Sequence, residues 1–121
     1  MIGKRLAASF CHAGEGLKQG WRQERNLRIF AWMAVLVVLA MLGFKTSRWE
    51  SALLVLTMMI MFGLEFLNSQ IERSLNLIAP QSSESVKKIK NLSAGAVLIG
   101  AVGAVIIAGL IFIPHLLELL N

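Results

Sequence analysis

The sequence contains no aspartate and no tyrosine, and its 121 residues include one cysteine and two prolines. Without aspartate, every side-chain carboxylate available for metal binding or catalysis belongs to one of seven glutamates. A single cysteine excludes an internal disulfide, and Cys11 is best interpreted as a small apolar contact. Charged residues are also scarce, at 16% of the chain against 56% hydrophobic residues, which is unlike a soluble domain.

Three long apolar runs account for this composition, and they cover residues 29–44, 51–67 and 92–114. A helix of about 20 apolar residues crosses a bilayer, and the first two runs reach that length with their flanks. Because backbone groups must pair within lipid, these segments are predicted to be helices. We expect an all-α membrane protein, a single membrane domain over 1–121, with transmembrane helices at about 27–45, 50–76 and 86–113.

Residues 4–22 have the pattern of an amphipathic helix. Their apolar side chains recur every three or four residues along one face, at Leu6, Phe10, Ala13, Leu17 and Trp21. The basic and polar side chains lie mostly off that face, an arrangement typical of a helix in the plane of the lipid headgroups. We therefore predict an N-terminal surface helix, weakened in its helix propensity by three glycines.

The basic residues are unevenly distributed along the chain. Ten of the twelve lysines and arginines lie in 1–28 and 73–90, two lie in 45–50, and none follows Lys90. A net charge of +5 is compatible with nucleic-acid binding, but this distribution matches the positive-inside rule of membrane proteins. It predicts a cytoplasmic N-terminus and 73–91 loop, an external 45–50 loop and C-terminus, and no nucleic-acid partner.

A polar stripe follows the second apolar run without a turn between them. Its members share one helical face because they are separated by short helical spacings, at Glu65, Asn68, Ser69, Glu72 and Asn76. A carboxylate in hydrocarbon costs several kcal/mol, so it normally faces a partner or a water-filled site. Glu65 lies nearest the apolar run, and for this residue we favour a functional role over a structural one.

Three glutamates and one lysine are expected near the cytoplasmic ends of the spans: Glu24, Glu65, Glu72 and Lys90. Mg²⁺ typically takes one or two protein carboxylates together with substrate phosphates. A lysine neutralises phosphate charge, and a third carboxylate can accept the proton of an attacking hydroxyl. Alternatively, Glu24 pairs with Arg28 on a helix surface and Glu72 lies in interfacial water beside Arg73. For Glu24 and Glu72 the two interpretations are balanced.

The third apolar run is rich in small residues. Four of them are spaced four apart and form a ridge that allows close helix packing, at Ala96, Gly100, Ala104 and Ala108. Because three spans make a thin bundle, we expect the chain to self-associate. Before this run, Pro80 is expected to end the second helix and Ser85 to cap the third.

Several motifs together resemble the small bacterial diacylglycerol kinase and undecaprenol kinase family. The stretch E-x-L-N-S-x-I-E at 65–72 is similar to its signature. Residues 10–13 (FCHA), Gly16-Leu17 and 21–28 (WRQERNLR) resemble its surface helix and first acidic site. Lys90 followed by SAGAVL at 93–98 resembles the start of its third span. The resemblance extends over nearly the whole chain.

The resemblance implies a homotrimeric lipid kinase of the bacterial cell membrane that uses Mg²⁺ and ATP to phosphorylate a lipid hydroxyl. Undecaprenol is favoured over diacylglycerol because the motifs HA at 12–13 and ERN at 24–26 are closer to the undecaprenol-type members of the family. By position, it implies that Glu65 is the general base and that Glu24 and Glu72 are metal ligands. Asn68 and Asn76 would support the site. The residues implied to meet the nucleotide are Lys90, Asn91, Arg5 and His12.

Two positions depart from the family pattern. Asn76 stands where the family has aspartate, and Asn91 replaces the aspartate of its Lys-Asp pair. Asparagine keeps the shape and one acceptor but loses the negative charge. We expect the chain to be active. The missing negative charges at Asn76 and at Asn91, the neighbour of Lys90, should weaken that activity. The alternative is a catalytically silent homologue that serves as a membrane scaffold or lipid-binding subunit.

Overall fold

The computed structural model describes residues 1–81 and 83–121 and contains four α-helices within them. They are α1 (Ile2–Gln23), α2 (Arg25–Phe44), α3 (Arg48–Ile78) and α4 (Glu84–Leu120). Three of them, α2 to α4, are long and apolar enough to cross a membrane. The prediction of an all-α chain with three long apolar helices is confirmed.

A single residue, Glu24, separates α1 from α2. Its backbone is extended (φ −110°, ψ 107°), so the chain changes direction there without a loop. The last carbonyls of a helix lack partners within the helix. Arg28 supplies a hydrogen-bond donor to two of these carbonyls, because its Nη1 donates to the carbonyl oxygens of Trp21 at 2.7 Å and Arg22 at 3.0 Å. A side chain of α2 thus fixes the end of α1.

Local sequence accounts for both ends of α3. Ser47 and Glu50 form a capping box, in which each side chain accepts a hydrogen bond from the other residue's backbone N–H. The helix ends at Ile78, two residues before Pro80, which restricts the preceding residue to non-helical conformations. α3 therefore extends two residues beyond the predicted 50–76 at each end.

The fourth helix differs from its prediction at both ends. It begins at Glu84 and is capped by Ser83, whose hydroxyl accepts from the backbone N–H of Val86, so the prediction of Ser85 as the cap is wrong. It also continues through Pro114 to Leu120, whereas the predicted span ends at 113. Proline removes one backbone hydrogen bond, a loss that membrane helices tolerate.

A polar contact joins the far ends of α3 and α4. Nε2 of His115, the residue after Pro114, lies 3.1 and 3.2 Å from the two carboxylate oxygens of Glu50. The His115 ring also lies 6.1 Å, centroid to centroid, from Phe44 at the end of α2. The continuation of α4 beyond the proline thus brings the three long helices together at this end.

α3 lies at the centre of the chain and packs against both α2 and α4, while α1 packs on α2. Among the described residues the buried apolar side chains are few, namely Leu27, Leu54, Met61 and Ile111. Large apolar side chains are exposed along the outer faces of all three long helices. Burial within one chain does not account for their stability, so these faces require lipid or another chain.

Gly20 and Gly100 sit where other helices approach closely. A Cβ added at Gly20 would lie 2.5 Å from Cε2 of Phe66, and one at Gly100 would lie 2.8 Å from side-chain atoms of Leu64 and Met61. Gly20 is buried and lets α1 rest on the ring of Phe66, which follows Glu65 in α3. The glycine that weakens α1 as an isolated helix therefore allows its packing.

We expect Gly20→Ala to destabilise the protein and Gly16→Ala to stabilise it. Overpacking costs about 1–3 kcal/mol, and at position 20 a rigid ring must move to admit the methyl group. A Cβ at Gly16 has nothing within 4 Å, so only the helix propensity gain of up to ~1 kcal/mol remains. Thermal unfolding in detergent measures both variants, and equal shifts would contradict the packing described here.

Candidate active site

The deepest polar group of the predicted stripe is the carboxylate of Glu65. It is 4% exposed, and it lies on the face of α3 that meets α2. Its Oε1 accepts a hydrogen bond of 3.2 Å from Nδ2 of Asn26, in the first turn of α2. This contact gives the buried carboxylate a hydrogen-bond donor that is itself uncharged.

A polar cleft of about 300 Å³ opens where α2 begins beside α3 and is lined by Glu24, Ser69, Glu72, Arg73 and Asn76. Nη2 of Arg73 donates to Oε1 of Glu24 at 2.8 Å, and this ion pair joins the two helices. Glu24 therefore pairs across helices, and the alternative of a Glu24–Arg28 pair is wrong. Glu72 is exposed on the same cleft, in the turn that carries Arg73.

The start of α4 contacts the other edge of the stripe. Nζ of Lys90 donates to Oδ1 of Asn76 at 2.8 Å, and the hydroxyl of Ser93 donates to Oδ1 of Asn68 at 2.7 Å. Both predicted supporting residues, Asn68 and Asn76, thus bind α4. The lysine is held by a neutral oxygen at one of the two positions that depart from the family pattern.

The polar groups lie at two depths along α3. Glu65 and Glu72 are seven residues apart, which corresponds to two turns, or about 10 Å along the helix axis. The start of α2 contacts both levels, because its N-cap residue Glu24 lines the cleft while Asn26 contacts Glu65. The arrangement places two carboxylates and a lysine at the helix ends and one buried carboxylate nearer the apolar region.

Three of the predicted nucleotide-binding residues lie apart from this cluster. Asn91 lines a shallow hollow on the surface of α4 with Lys88 and Leu92, about 100° around the helix from Lys90. Arg5 and His12 are exposed on α1. Arg5 lies about 22 Å along the helix axis from Gly20, where α1 contacts α3. Within one chain, Lys90 is the predicted nucleotide ligand that joins the cluster.

The sequence interpretation missed three members of the cluster, namely Asn26, Arg73 and Ser93. In the sequence, Asn26 stands in the motif ERN and Ser93 in the motif SAGAVL. A polar residue at the membrane end of a span was the available signal for both. Among the described residues no three His, Cys or Glu side chains form a metal site.

The fold and the cluster define a class of protein. A chain with three candidate membrane spans carries two carboxylates and a lysine at its helix ends, and a buried carboxylate beneath them. Carboxylates and a lysine are groups that can bind Mg²⁺ and phosphate. Residues 11–112 match the family described as Prokaryotic diacylglycerol kinase, and the chain belongs to that family of membrane lipid kinases.

Individual relatives agree with this assignment. The chain is 38% identical over 112 residues to an undecaprenol kinase of Bacillus subtilis, covering 93% of this chain and 91% of the relative. It is 34% identical over 120 residues to a diacylglycerol kinase of Synechocystis, covering 98% and 69%. A diacylglycerol kinase of Helicobacter pylori is 26% identical over 99 residues, covering 82% and 77%. The homologues are lipid kinases with different named lipids.

Proposed function

We propose that this chain transfers the γ-phosphoryl group of ATP to the hydroxyl of a membrane lipid, with undecaprenol as the favoured substrate and diacylglycerol next. The observation that carries the proposal is the buried Glu65 carboxylate, which lies below a cleft lined by Glu24 and Glu72. Membership of a lipid kinase family supplies the reaction class. The two depths of the polar groups suit a nucleotide from water and an alcohol from the membrane.

In this proposal Glu65 is the general base. The oxygen of the lipid hydroxyl forms a bond to the γ-phosphorus, the bond from the γ-phosphorus to the bridging oxygen breaks, and ADP leaves. Glu65 accepts the hydroxyl proton as the lipid oxygen attacks. Lys90 sits at the helix ends with Nζ on Asn76, where an ammonium can meet the charge of the phosphates.

The cleft residues fit a magnesium ion bound together with nucleotide. Glu24 and Glu72 offer hard oxygen ligands on one cleft, and Mg²⁺ is usually bound by one or two carboxylates plus substrate phosphates. When bound, the ion would neutralise charge that develops on the phosphates. Arg73 holds Oε1 of Glu24 and must share or release it for metal binding.

The trimer and the membrane orientation are part of the same proposal. The exposed apolar faces of the three long helices require a cover, and a homotrimer in the bacterial cell membrane supplies part of it. The basic residues favour a cytoplasmic N-terminus and an external C-terminus. A mass measurement in nanodiscs that finds only monomers would overturn the trimer, and cysteine labelling would report the orientation.

The reaction is tested with radiolabelled ATP and Mg²⁺ in mixed micelles that contain either undecaprenol or diacylglycerol. We expect a phosphorylated lipid with both alcohols and a higher kcat/KM for undecaprenol. The match to the Bacillus undecaprenol kinase over most of both chains supports this preference. Product with diacylglycerol alone would overturn the preference, and no product with either lipid would overturn the kinase proposal.

A non-catalytic membrane scaffold or lipid-binding subunit is the second candidate. The observation in its favour is the Lys90–Asn76 contact, in which a neutral oxygen holds the ammonium. Loss of the family aspartates at 76 and 91 removes negative charge near the site. The micelle assay separates the candidates, because a scaffold yields no product and still binds lipid.

We expect Asn76→Asp to raise kcat/KM for ATP by about threefold to tenfold, because the Lys90 ammonium would then be held by an ion pair with a carboxylate and not by a neutral amide oxygen. Asn91→Asp is the matched control. It should have a smaller effect, since Asn91 faces away from the cluster within the chain. Steady-state kinetics of both variants check this expectation. A fall in kcat/KM for Asn76→Asp would mean that asparagine is the adapted residue.

A further inference from the structure

Asn26 is the hydrogen-bonding side-chain partner of Glu65 in the described part of the chain. Its Nδ2 donates to Oε1 at 3.2 Å, from a residue 39 positions earlier in the sequence. Asn26 is exposed whereas Glu65 is 4% exposed, so the amide lies on the outer side of the buried carboxylate. A group that approaches Glu65 from this side meets the amide first.

The chemistry of this donor suits a carboxylate that must accept a proton. An arginine or lysine at the same place would form an ion pair with Glu65 and compete for its negative charge. An amide N–H carries no charge, so it orients the carboxylate without forming an ion pair with it. One bond to Oε1 also leaves Oε2 for another donor.

We infer that Asn26 is a positioning residue that orients Glu65 toward the lipid hydroxyl, an inference that rests on the proposed function. The start of α2, including its N-cap residue, performs two tasks in this arrangement. Glu24 lines the cleft with Glu72, and two residues later Asn26 holds Glu65. The start of α2 therefore links the cleft that would hold the phosphates to the carboxylate that would act as the base.

A merely structural role for Asn26 predicts different kinetics. If the amide only compensated for a buried charge, its loss would lower the thermal stability and the amount of folded protein, without a specific effect on turnover. If it positions the base, the folded protein loses kcat while the KM for ATP is retained. The residual rate of a Glu65→Gln variant would also be insensitive to position 26, because the group being positioned is absent.

The test compares Asn26→Leu, Asn26→Asp and Asn26→Gln in the micelle assay, with stability and oligomer mass measured in parallel. Misplacement by about 1 Å can lower a rate 10²-fold, so we expect kcat to fall by about 10- to 100-fold in the Leu and Asp variants. The KM for ATP should change less than about twofold in both. Asn26→Gln retains the donor and should recover part of kcat. Asn26→Asp matches the native shape but lacks the N–H and adds a carboxylate beside Glu65, so retained kcat in this variant overturns the inference even if the Leu variant fails to fold.

Ser51→Ala is the matched control, because it removes a side-chain contact of 2.7 Å to Thr46 at the opposite end of α3. It should leave kcat unchanged. If the Leu or Asp variant keeps kcat within about twofold of the wild type while Glu65→Gln is inactive, the inference is overturned and the proposed function stands. If the wild type phosphorylates neither lipid, the proposed function fails and the inference fails with it.

Discussion

Replacing Glu65 with glutamine should lower kcat for lipid phosphorylation by about 10²- to 10⁴-fold, the usual contribution of a general base. The substitution preserves the size of the side chain and an oxygen for Nδ2 of Asn26, so the contact between α3 and α2 can survive. What is lost is the ability to accept a proton at neutral pH. Nucleotide binding and assembly should therefore change little.

The measurement is single-turnover transfer from radiolabelled ATP to lipid, with ATP binding followed separately. Glu118→Gln is a matched control, since this exposed glutamate lies near the end of α4, away from the cluster. It should retain the wild-type rate. Near-normal turnover in Glu65→Gln would show that the carboxylate is a structural polar contact and that another group accepts the proton.

Glu72→Gln should weaken Mg²⁺-dependent ATP binding by at least about tenfold. Loss of an outer-shell partner of a metal ligand already costs 10- to 100-fold in many sites, and Glu72 would be a ligand itself. Glu24→Gln should have the smaller effect of the two. Its loss frees the Arg73 guanidinium, which can then bind a phosphate and compensate in part.

Titration with a non-hydrolysable ATP analogue at several Mg²⁺ concentrations measures both affinities. The Glu72→Gln curve should approach the wild type only at high Mg²⁺. The double variant Glu24→Gln, Arg73→Leu removes the proposed compensation and should bind as weakly as Glu72→Gln. Equal affinity of all variants and the wild type at every Mg²⁺ concentration would exclude these glutamates as ligands.

Periodicity and local signals predicted much of the fold. The apolar runs gave three long helices, and the three- and four-residue spacing gave the face of α3 that carries Glu65. The ends of the helices were predicted less accurately. Ser83 caps α4 in place of Ser85, and the helix continues beyond Pro114 because membrane helices tolerate one missing backbone bond. Local propensity does not report the tertiary contact of His115 with Glu50 that accompanies this continuation.

The hydrogen-bond and ion-pair partners within the candidate site could not be predicted from the sequence. Asn26 and Glu65 are 39 residues apart, and Glu24 and Arg73 are 49 apart. Which side chains meet over such separations depends on how each helix is rotated about its axis. Spacing within one helix identifies the residues that share a face, but it does not identify the residues of another helix that this face contacts. Lys90 is an example, because its neighbour in the sequence is Asn91 but its hydrogen-bond partner in the structure is Asn76.

The one-residue joint at Glu24 has a mechanical consequence. A longer linker would let α1 tilt or slide without disturbing α2, but a single extended residue allows little independent movement. The carboxylate that faces the cleft is carried by the joint itself. A change in the angle between α1 and α2 therefore also moves this carboxylate. A force that separates α1 from Phe66 would displace Glu24 as well.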